Sequence, residues 1–107
     1  MVKHEQLDAA FASLADPTRR DIIRRVAAQE LSMSEIARSY EREMSLAAVS
    51  KHVHVLERAK LVQKRRVGRQ HLVSLSPPAL KQVSNYLAQY KKLWEERLDR
   101  LEEYLTT

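Results

Sequence analysis

The sequence predicts a mainly α fold of five helices with one small β-hairpin. The spacing of its apolar residues is helical along most of the chain and changes to that of short strands in one segment. Apolar residues recur at helical spacing through most of the 107 residues. Residues 61–67 and 71–75 instead read as short strands on either side of the turn Arg66-Val67-Gly68-Arg69. A helix followed at once by a basic hairpin is the outline of a winged helix-turn-helix, and the length predicts one domain over residues 1–107.

The first three helices are predicted from their start signals. Asp16-Pro17 places an N-cap and a first-turn proline at the start of the second helix. Ser32-Met33-Ser34-Glu35 has the form of a capping box that opens the third. The predicted core positions of these helices are Leu7, Ala10, Phe11 and Leu14, then Ile22, Ile23, Val26 and Ala27, and then Ile36, Ala37 and Tyr40.

The fourth helix, Ser45–Ala59, has two contrasting faces. Val49, Val53 and Leu56 recur at i, i+4 and i+7 and predict one buried stripe, with Ser45 as the N-cap. Small residues on the remaining surface let a helix approach base edges, and cations there can contact phosphates. These surface residues are Ala47, Ala48, Ser50, Lys51, His54 and Arg58.

Positive charge is concentrated in one segment. Residues 51–71 contain seven Lys or Arg and one acid, Glu57, whereas the remainder of the chain is close to neutral. Such a segment is typical of a surface that binds a polyanion. A solvated, solubilising face is the alternative interpretation of a charge run. The helix pattern next to it favours nucleic acid.

The last helix begins after Ser76-Pro77-Pro78, and residues 79–105 carry a long apolar stripe. The steps along the stripe alternate mostly between three and four residues, which is the spacing of a helix that packs on another helix. A small winged-helix body offers too little surface to cover the stripe, so a dimer seam is favoured over a helix folded back on its own domain. The stripe is Leu80, Val83, Leu87, Tyr90, Trp94, Leu98, Leu101 and Leu105.

Several classes of function have no support in the sequence. No cysteine is present, and the four histidines show no metal-ligand spacing, so we expect no metal site and no cofactor. No catalytic constellation is apparent, and we expect a protein that is not an enzyme. No apolar run is long enough for a membrane span and no signal-peptide core is visible, which together with the absence of cysteine favours a cytoplasmic protein.

Four blocks of the sequence resemble the ArsR/SmtB family of winged-helix repressors. They are LADPTRRDIIRRVA, LSMSEIA, MSLAAVSKHVHVLERAKLV and RRVGRQHLVSLSP. The helix SLAAVSKH and the ending YKKLWEERLDRLEEYL look more like a metal-independent subgroup. The resemblance implies a homodimer that binds an imperfect palindrome and represses a promoter. It maps the recognition helix to Ser45–Ala59 and the wing to Lys64–His71.

Three departures from the family pattern stand out. Metal sensors of the family carry two cysteines in the segment that matches Leu31–Glu35, where this chain has Ser32 and Ser34. The turn Glu41–Glu43 is longer than is usual in the family and lacks its glycine, and Lys60 occupies the position of a helix-ending glycine. The last two changes bear on the aim of the recognition helix.

These observations predict a homodimeric, sequence-specific transcriptional repressor that binds double-stranded DNA, with any small-molecule effector unidentified. Lys51 is the residue expected to contact guanine, and the wing arginines are expected to reach the minor groove or its phosphates. The predicted DNA-binding residues are Ser45, Ala47, Ala48, Ser50, Lys51, His52, His54, Arg58, Lys64, Arg66 and Arg69. The predicted dimer residues are Leu7, Phe11, Leu80, Val83, Leu87, Tyr90, Trp94, Leu98 and Leu101.

Two alternatives belong to other classes of function. A non-specific nucleic-acid-binding or nucleoid-associated protein would bind any duplex with little preference, which competition against random DNA detects. A winged-helix protein-interaction module would lack basic residues on the helix and wing, whereas this chain has them.

Overall fold

The computed structural model describes residues 5–106, and it confirms the predicted fold class. The fold consists of five helices and a small antiparallel sheet, and the last helix extends beyond the rest of the molecule. The elements are α1 Glu5–Leu14, α2 Pro17–Ala28, β1 Leu31–Ser32, α3 Met33–Ser39, α4 Leu46–Arg58, β2 Val62–Val67, β3 Gln70–Leu75 and α5 Pro77–Thr106.

The predicted helix starts are confirmed by their hydrogen bonds. An Asp16 carboxylate oxygen accepts from the backbone N–H of Thr18 at 2.8 Å and of Arg19 at 3.1 Å. At α3 the Ser32 hydroxyl accepts from the N–H of Glu35, and the Glu35 carboxylate accepts from the N–H of Ser32. The otherwise unpaired donors of both first turns are therefore partly satisfied.

The sheet has one strand more than the predicted hairpin. β2 and β3 pair in the register Val62↔Leu75 to Val67↔Gln70, and β1 adds to the other edge of β3 through Leu31↔Val73. β1 is only two residues long and includes the N-cap of α3, so no alternation in the sequence could reveal it. It fixes the start of α3 against the wing sheet.

One cluster of buried side chains joins α2, α3, α4 and the sheet. Ile22, Ile36, Leu56, Leu61 and Val73 are among the side chains at its centre, each with no measurable exposure. Ala27, predicted on the core face of α2, is exposed. The helix period explains the difference, because the core stripe of α2 runs through Ile22 and Val26, and the next residue turns away from it.

α5 has 30 residues, about 45 Å at 1.5 Å per residue, and is longer than the 79–105 segment predicted for it. Its first two turns are anchored by buried Ala79 and Val83, and α1 packs beside it with Phe11 edge-on to Tyr86 at a ring separation of 5.6 Å. Among residues 5–106, no helix is both long and apolar enough to cross a membrane.

The turn between α3 and α4 is organised by Tyr40. Its carbonyl oxygen accepts from the N–H groups of Glu43 and Met44, both at 2.9 Å. The guanidinium carbon of Arg25 lies over the buried Tyr40 ring, 5.3 Å from the ring centroid. The Tyr40 hydroxyl donates to the Asp21 carboxylate of α2. Within the described residues, Lys60 and Gly68 have positive φ, and both lie outside this turn. The turn therefore forms without a glycine and without a residue in the left-handed conformation.

The hydrogen bond between Tyr40 and Asp21 favours the ionised carboxylate of Asp21 and the neutral phenol of Tyr40. The hydrogen bond from the Tyr40 hydroxyl, followed by those from Arg24 and Arg25, lowers the pKa of Asp21 to about 2. Burial, followed by the bond to Asp21, raises the pKa of Tyr40 to about 12. Because the Asp21 pKa is below its ordinary 3.8, this carboxylate stabilises the fold above pH of about 4, and that contribution is lost as pH falls toward 2.

Tyr40→Phe should therefore lower the free energy of unfolding by about 1–2 kcal/mol at pH 7, since it removes a buried hydrogen bond to a charged group. The pKa of Asp21 then rises toward its ordinary value, so the deficit should narrow as pH falls from about 4 to about 2. Urea denaturation at a series of pH values measures both effects.

The matched control is Ser34→Ala, which removes a hydroxyl from an exposed side chain of α3 and should change stability little. Equal losses in the two variants, or a Tyr40→Phe deficit independent of pH in the acid range, would show that the Asp21–Tyr40 bond does not hold α2 to this turn.

Candidate nucleic-acid interface

The rotation of α4 about its own axis is fixed by three buried residues. Val49, Val53 and Leu56 have no measurable exposure and lie on one stripe, as the sequence predicted. The hydroxyl of Ser45 accepts from the N–H of Ala48 at 3.2 Å and starts the helix, again as predicted. The opposite side of the helix must therefore face away from the core.

That outward side carries most of the α4 residues predicted to bind DNA. Ala47, Ser50, Lys51, His54 and Arg58 are all exposed there. Within the described part of the chain, no ion pair or hydrogen bond to the Lys51 or Arg58 side chain is formed. The outward side thus offers small residues that permit close approach, together with cations that a polyanion can neutralise.

His52 lies on a different side of α4 and faces α2. One Arg19 guanidinium nitrogen lies 3.4 Å from its Nδ1, while Arg19 Nε donates to the carbonyl oxygen of Ser13 at 2.6 Å. Arg19 therefore joins the end of α1, the start of α2 and the middle of α4. Sequence reasoning did not identify Arg19, because the contact connects positions 33 residues apart. His52 and Ala48 are half-buried.

α4 ends in a Schellman motif in which lysine replaces glycine. The N–H of Leu61 donates to the carbonyl of Leu56, and that of Lys60 to the carbonyl of Glu57, both at 3.0 Å. Lys60 adopts φ of 66°, the left-handed conformation that this motif requires. Leu56 and Leu61 are both fully buried, so their packing holds the strained residue in place and the chain enters β2 directly.

The wing is the β2–β3 hairpin with a two-residue turn at Gly68-Arg69. Gly68 has φ of 62°, which suits the tight hairpin turn. Arg66 and Arg69 are exposed at the tip, and Arg66 Nε donates to the carbonyl of Gly68 at 3.1 Å. Arg65 has a different role, because its guanidinium makes two bonds of 2.8 and 3.2 Å to Glu30 and ties the wing to the end of α2.

Glu57 is the acid within the basic segment, and it lies between the helix and the wing. Its carboxylate is 3.9 Å from Lys64 Nζ and 3.8 Å from His54 Nδ1. Lys64, predicted as a DNA contact, is half-buried beside it. The pair holds the base of the wing next to α4, but it also reduces the positive charge that this surface presents.

A second surface, which we call the α5 stripe, consists of the apolar residues on one side of α5. Val83 is buried, and Leu80, Leu7 and Phe11 are half-buried where α1 covers the beginning of the helix. Beyond this point the predicted residues are exposed by 45–73%: Leu87, Tyr90, Trp94, Leu98, Leu101 and Leu105. Leu93 and Tyr104, which were not predicted, add to the exposed apolar area.

Metal ligands are not brought together. At the two positions where metal sensors have cysteine, the Ser32 hydroxyl accepts the capping hydrogen bond of α3, and Ser34 is exposed. Across residues 5–106, no three His, Cys, Asp or Glu side chains cluster as a metal site would require. His4 lies outside the described residues.

A recognition helix turned outward, with a basic wing beside it, defines a winged helix-turn-helix DNA-binding domain. The comparisons agree. A family model described as a helix-turn-helix domain matches residues 14–65. The HTH-type transcriptional regulator Rv2034 of Mycobacterium tuberculosis is 39% identical over 80 residues, which cover 75% of this chain and 73% of that protein.

Two further relatives are similar. A transcriptional repressor SmtB homolog of Synechocystis is 36% identical over 72 residues, which cover 67% of this chain and 53% of that protein. The crystal structure of an ArsR family transcriptional regulator superposes with a TM-score of 0.77 at 33% identity, covering 85% of this chain and 98% of the other. This chain belongs to the ArsR/SmtB family of transcriptional regulators.

Removing the negative charge at the interface should strengthen DNA binding. In Glu57→Gln, Lys64 and His54 lose their acidic neighbour, so affinity for a random duplex should rise about three- to tenfold at low salt and the salt slope should steepen by about one counterion. Fluorescence anisotropy between 50 and 200 mM salt measures both quantities.

Glu102→Gln is the matched control, because it removes the same charge at an exposed position near the far end of α5. An equal gain in the control, or no gain in Glu57→Gln, would place the DNA elsewhere than on α4 and the wing.

Proposed function

We propose that this regulator is a homodimeric repressor that binds an imperfect palindromic operator. The observation that carries the proposal is that the folded chain presents two surfaces of different chemistry, each suited to a different partner. The outward side of α4 and the wing are basic, and the α5 stripe is apolar and largely exposed. DNA suits the first surface and a second copy of the chain suits the second.

In the proposed complex, α4 enters the major groove with its outward side toward the bases. Lys51 lies at the middle of that side, where its ammonium can donate to guanine O6 and N7. Ala47 and Ser50 permit close approach, and Arg58 and Lys64 contact phosphates. Arg66 and Arg69 extend from the wing tip to the minor groove or its phosphates. His52 is the least direct of the predicted contacts, because Arg19 already engages its Nδ1.

The α5 stripe is proposed to pack against the same stripe of a second copy, with Leu7 and Phe11 of α1 at its margin. A twofold axis through the stripe would place the two α4 helices about one turn of DNA apart, roughly 34 Å. The operator would then consist of two inverted half-sites. Such an occupied site in a promoter would block transcription, and the Synechocystis relative is itself named a repressor.

Two substitutions separate base reading from phosphate binding. The binding assays use the DNA duplex that the wild-type protein enriches from a random pool. Lys51→Ala should relax the preference at one base pair per half-site, at a cost of about 1–3 kcal/mol. Arg69→Ala should weaken binding to every duplex alike and lower the salt slope by about one.

Each outcome of that experiment is informative. Equal competition by random DNA would indicate a non-specific nucleoid-associated protein, and no DNA binding at all would indicate a protein-interaction module. If neither substitution alters binding, the assignment of α4 and the wing to DNA is wrong.

The dimer assignment is tested by truncating the α5 stripe. Trp94 and Leu98 are 55% and 56% exposed in the single chain, so their loss should cost the folded chain little. Buried in a dimer seam, a truncated Trp alone costs about 3–5 kcal/mol, which corresponds to at least a hundredfold weaker association. Trp94→Ala combined with Leu98→Ala should therefore give monomers with greatly reduced operator affinity in sedimentation and binding assays.

The control is Lys92→Ala combined with Glu96→Ala, which preserves net charge and lies on the opposite side of α5. A monomeric wild type, or a stripe variant that remains dimeric and binds the operator normally, would refute the assignment.

A further inference from the structure

Exposed apolar side chains fall on three elements. Within residues 5–106, ten large apolar residues are exposed, and eight of them lie on α5. The other two are Leu46, 63% exposed, and Val67, 47% exposed. Both lie on the elements that form the nucleic-acid interface, namely the first turn of α4 and the wing.

Leu46 is not part of the buried core cluster of its own domain. The core stripe of α4 is Val49, Val53 and Leu56, and Met44 is the partly buried residue that packs beside it at the start of the helix. Leu46 is the first residue after the Ser45 cap, and Ser50 lies one turn further along the same flank. The most exposed apolar residue outside α5 is therefore at the tip of the helix that approaches the bases.

A protein partner does not suit this position. Leu46 is the one large exposed apolar residue that the described chain has at the start of α4, with exposed Glu43 and Ser45 before it, so it forms no long patch of the kind seen along α5. In the major groove, by contrast, a single apolar contact is sufficient for recognition, because thymine presents one apolar group there, its C5 methyl. The minor groove presents no methyl group, so Val67 at the wing has no such partner.

We propose that Leu46 is a specificity-determining residue that reads the C5 methyl of one thymine in each half-site. This inference rests on the proposed function, since it requires α4 to lie in the major groove of a sequence-specific complex. The recognition helix would then read the bases with two residues, through polar contacts from Lys51 and an apolar contact from Leu46. The wild type is then expected to prefer a thymine at one fixed position near the N-terminal end of α4.

The test is a double-mutant cycle between the side chain and the methyl group. In the duplex enriched by the wild type, each thymine of a half-site is replaced in turn by deoxyuridine, which lacks only the methyl group and pairs in the same way. At one position this should weaken wild-type binding about fourfold, the effect of exposing one methyl group. For Leu46→Ala the same replacement should have no effect.

Val67→Ala is the matched control, because it also truncates an exposed apolar residue of the interface, and it should retain the wild-type response to deoxyuridine. Circular dichroism confirms that Leu46→Ala is folded, as an exposed position should allow. A duplex in which no thymine methyl affects wild-type binding, or a methyl effect that persists unchanged in Leu46→Ala, would overturn the assignment of Leu46 while leaving the repressor intact. If the wild type enriches no sequence from the pool, the proposed function fails first and this inference fails with it.

Discussion

The burial of one side of α4 is the constraint on which the interface depends. Val49, Val53 and Leu56 are completely buried in the core, so the helix cannot rotate without exposing a branched side chain or burying a charged one. Lys51 and Arg58 are directed outward for this reason alone. The chemistry that the chain presents to DNA is thus a consequence of how its core is packed.

Three polar contacts then hold the neighbouring elements to that helix. Arg19 connects the end of α1 to His52 of α4, Tyr40 connects the turn before α4 to Asp21 of α2, and Arg65 connects the wing to Glu30. α1 also packs on α5 through Phe11 and Tyr86, so α1 contacts α5 and, through Arg19, is held to the recognition helix.

Local signals predicted much of this structure. The caps at Asp16, Ser32 and Ser45 and the stripe of α4 follow from patterns within a few residues, and the family relationship agrees with the blocks that suggested it. Contacts between distant positions, such as Arg19 with His52 and Arg65 with Glu30, leave no local pattern. Lys60 is intermediate: its departure from glycine was visible, but only the buried Leu56 and Leu61 show why the left-handed backbone is tolerated.

In the proposed dimer, the α5 stripe pairs two copies so that their recognition helices are spaced for adjacent turns of DNA. The sequence has no cysteine, so Ser50→Cys introduces a single thiol, exposed on α4, for a spin label. Pulsed electron paramagnetic resonance on the free protein should then give one distance between the labels of the two copies, close to one turn of DNA, about 34 Å. Absence of intermolecular coupling, or a distance of half or twice that value, would contradict the account.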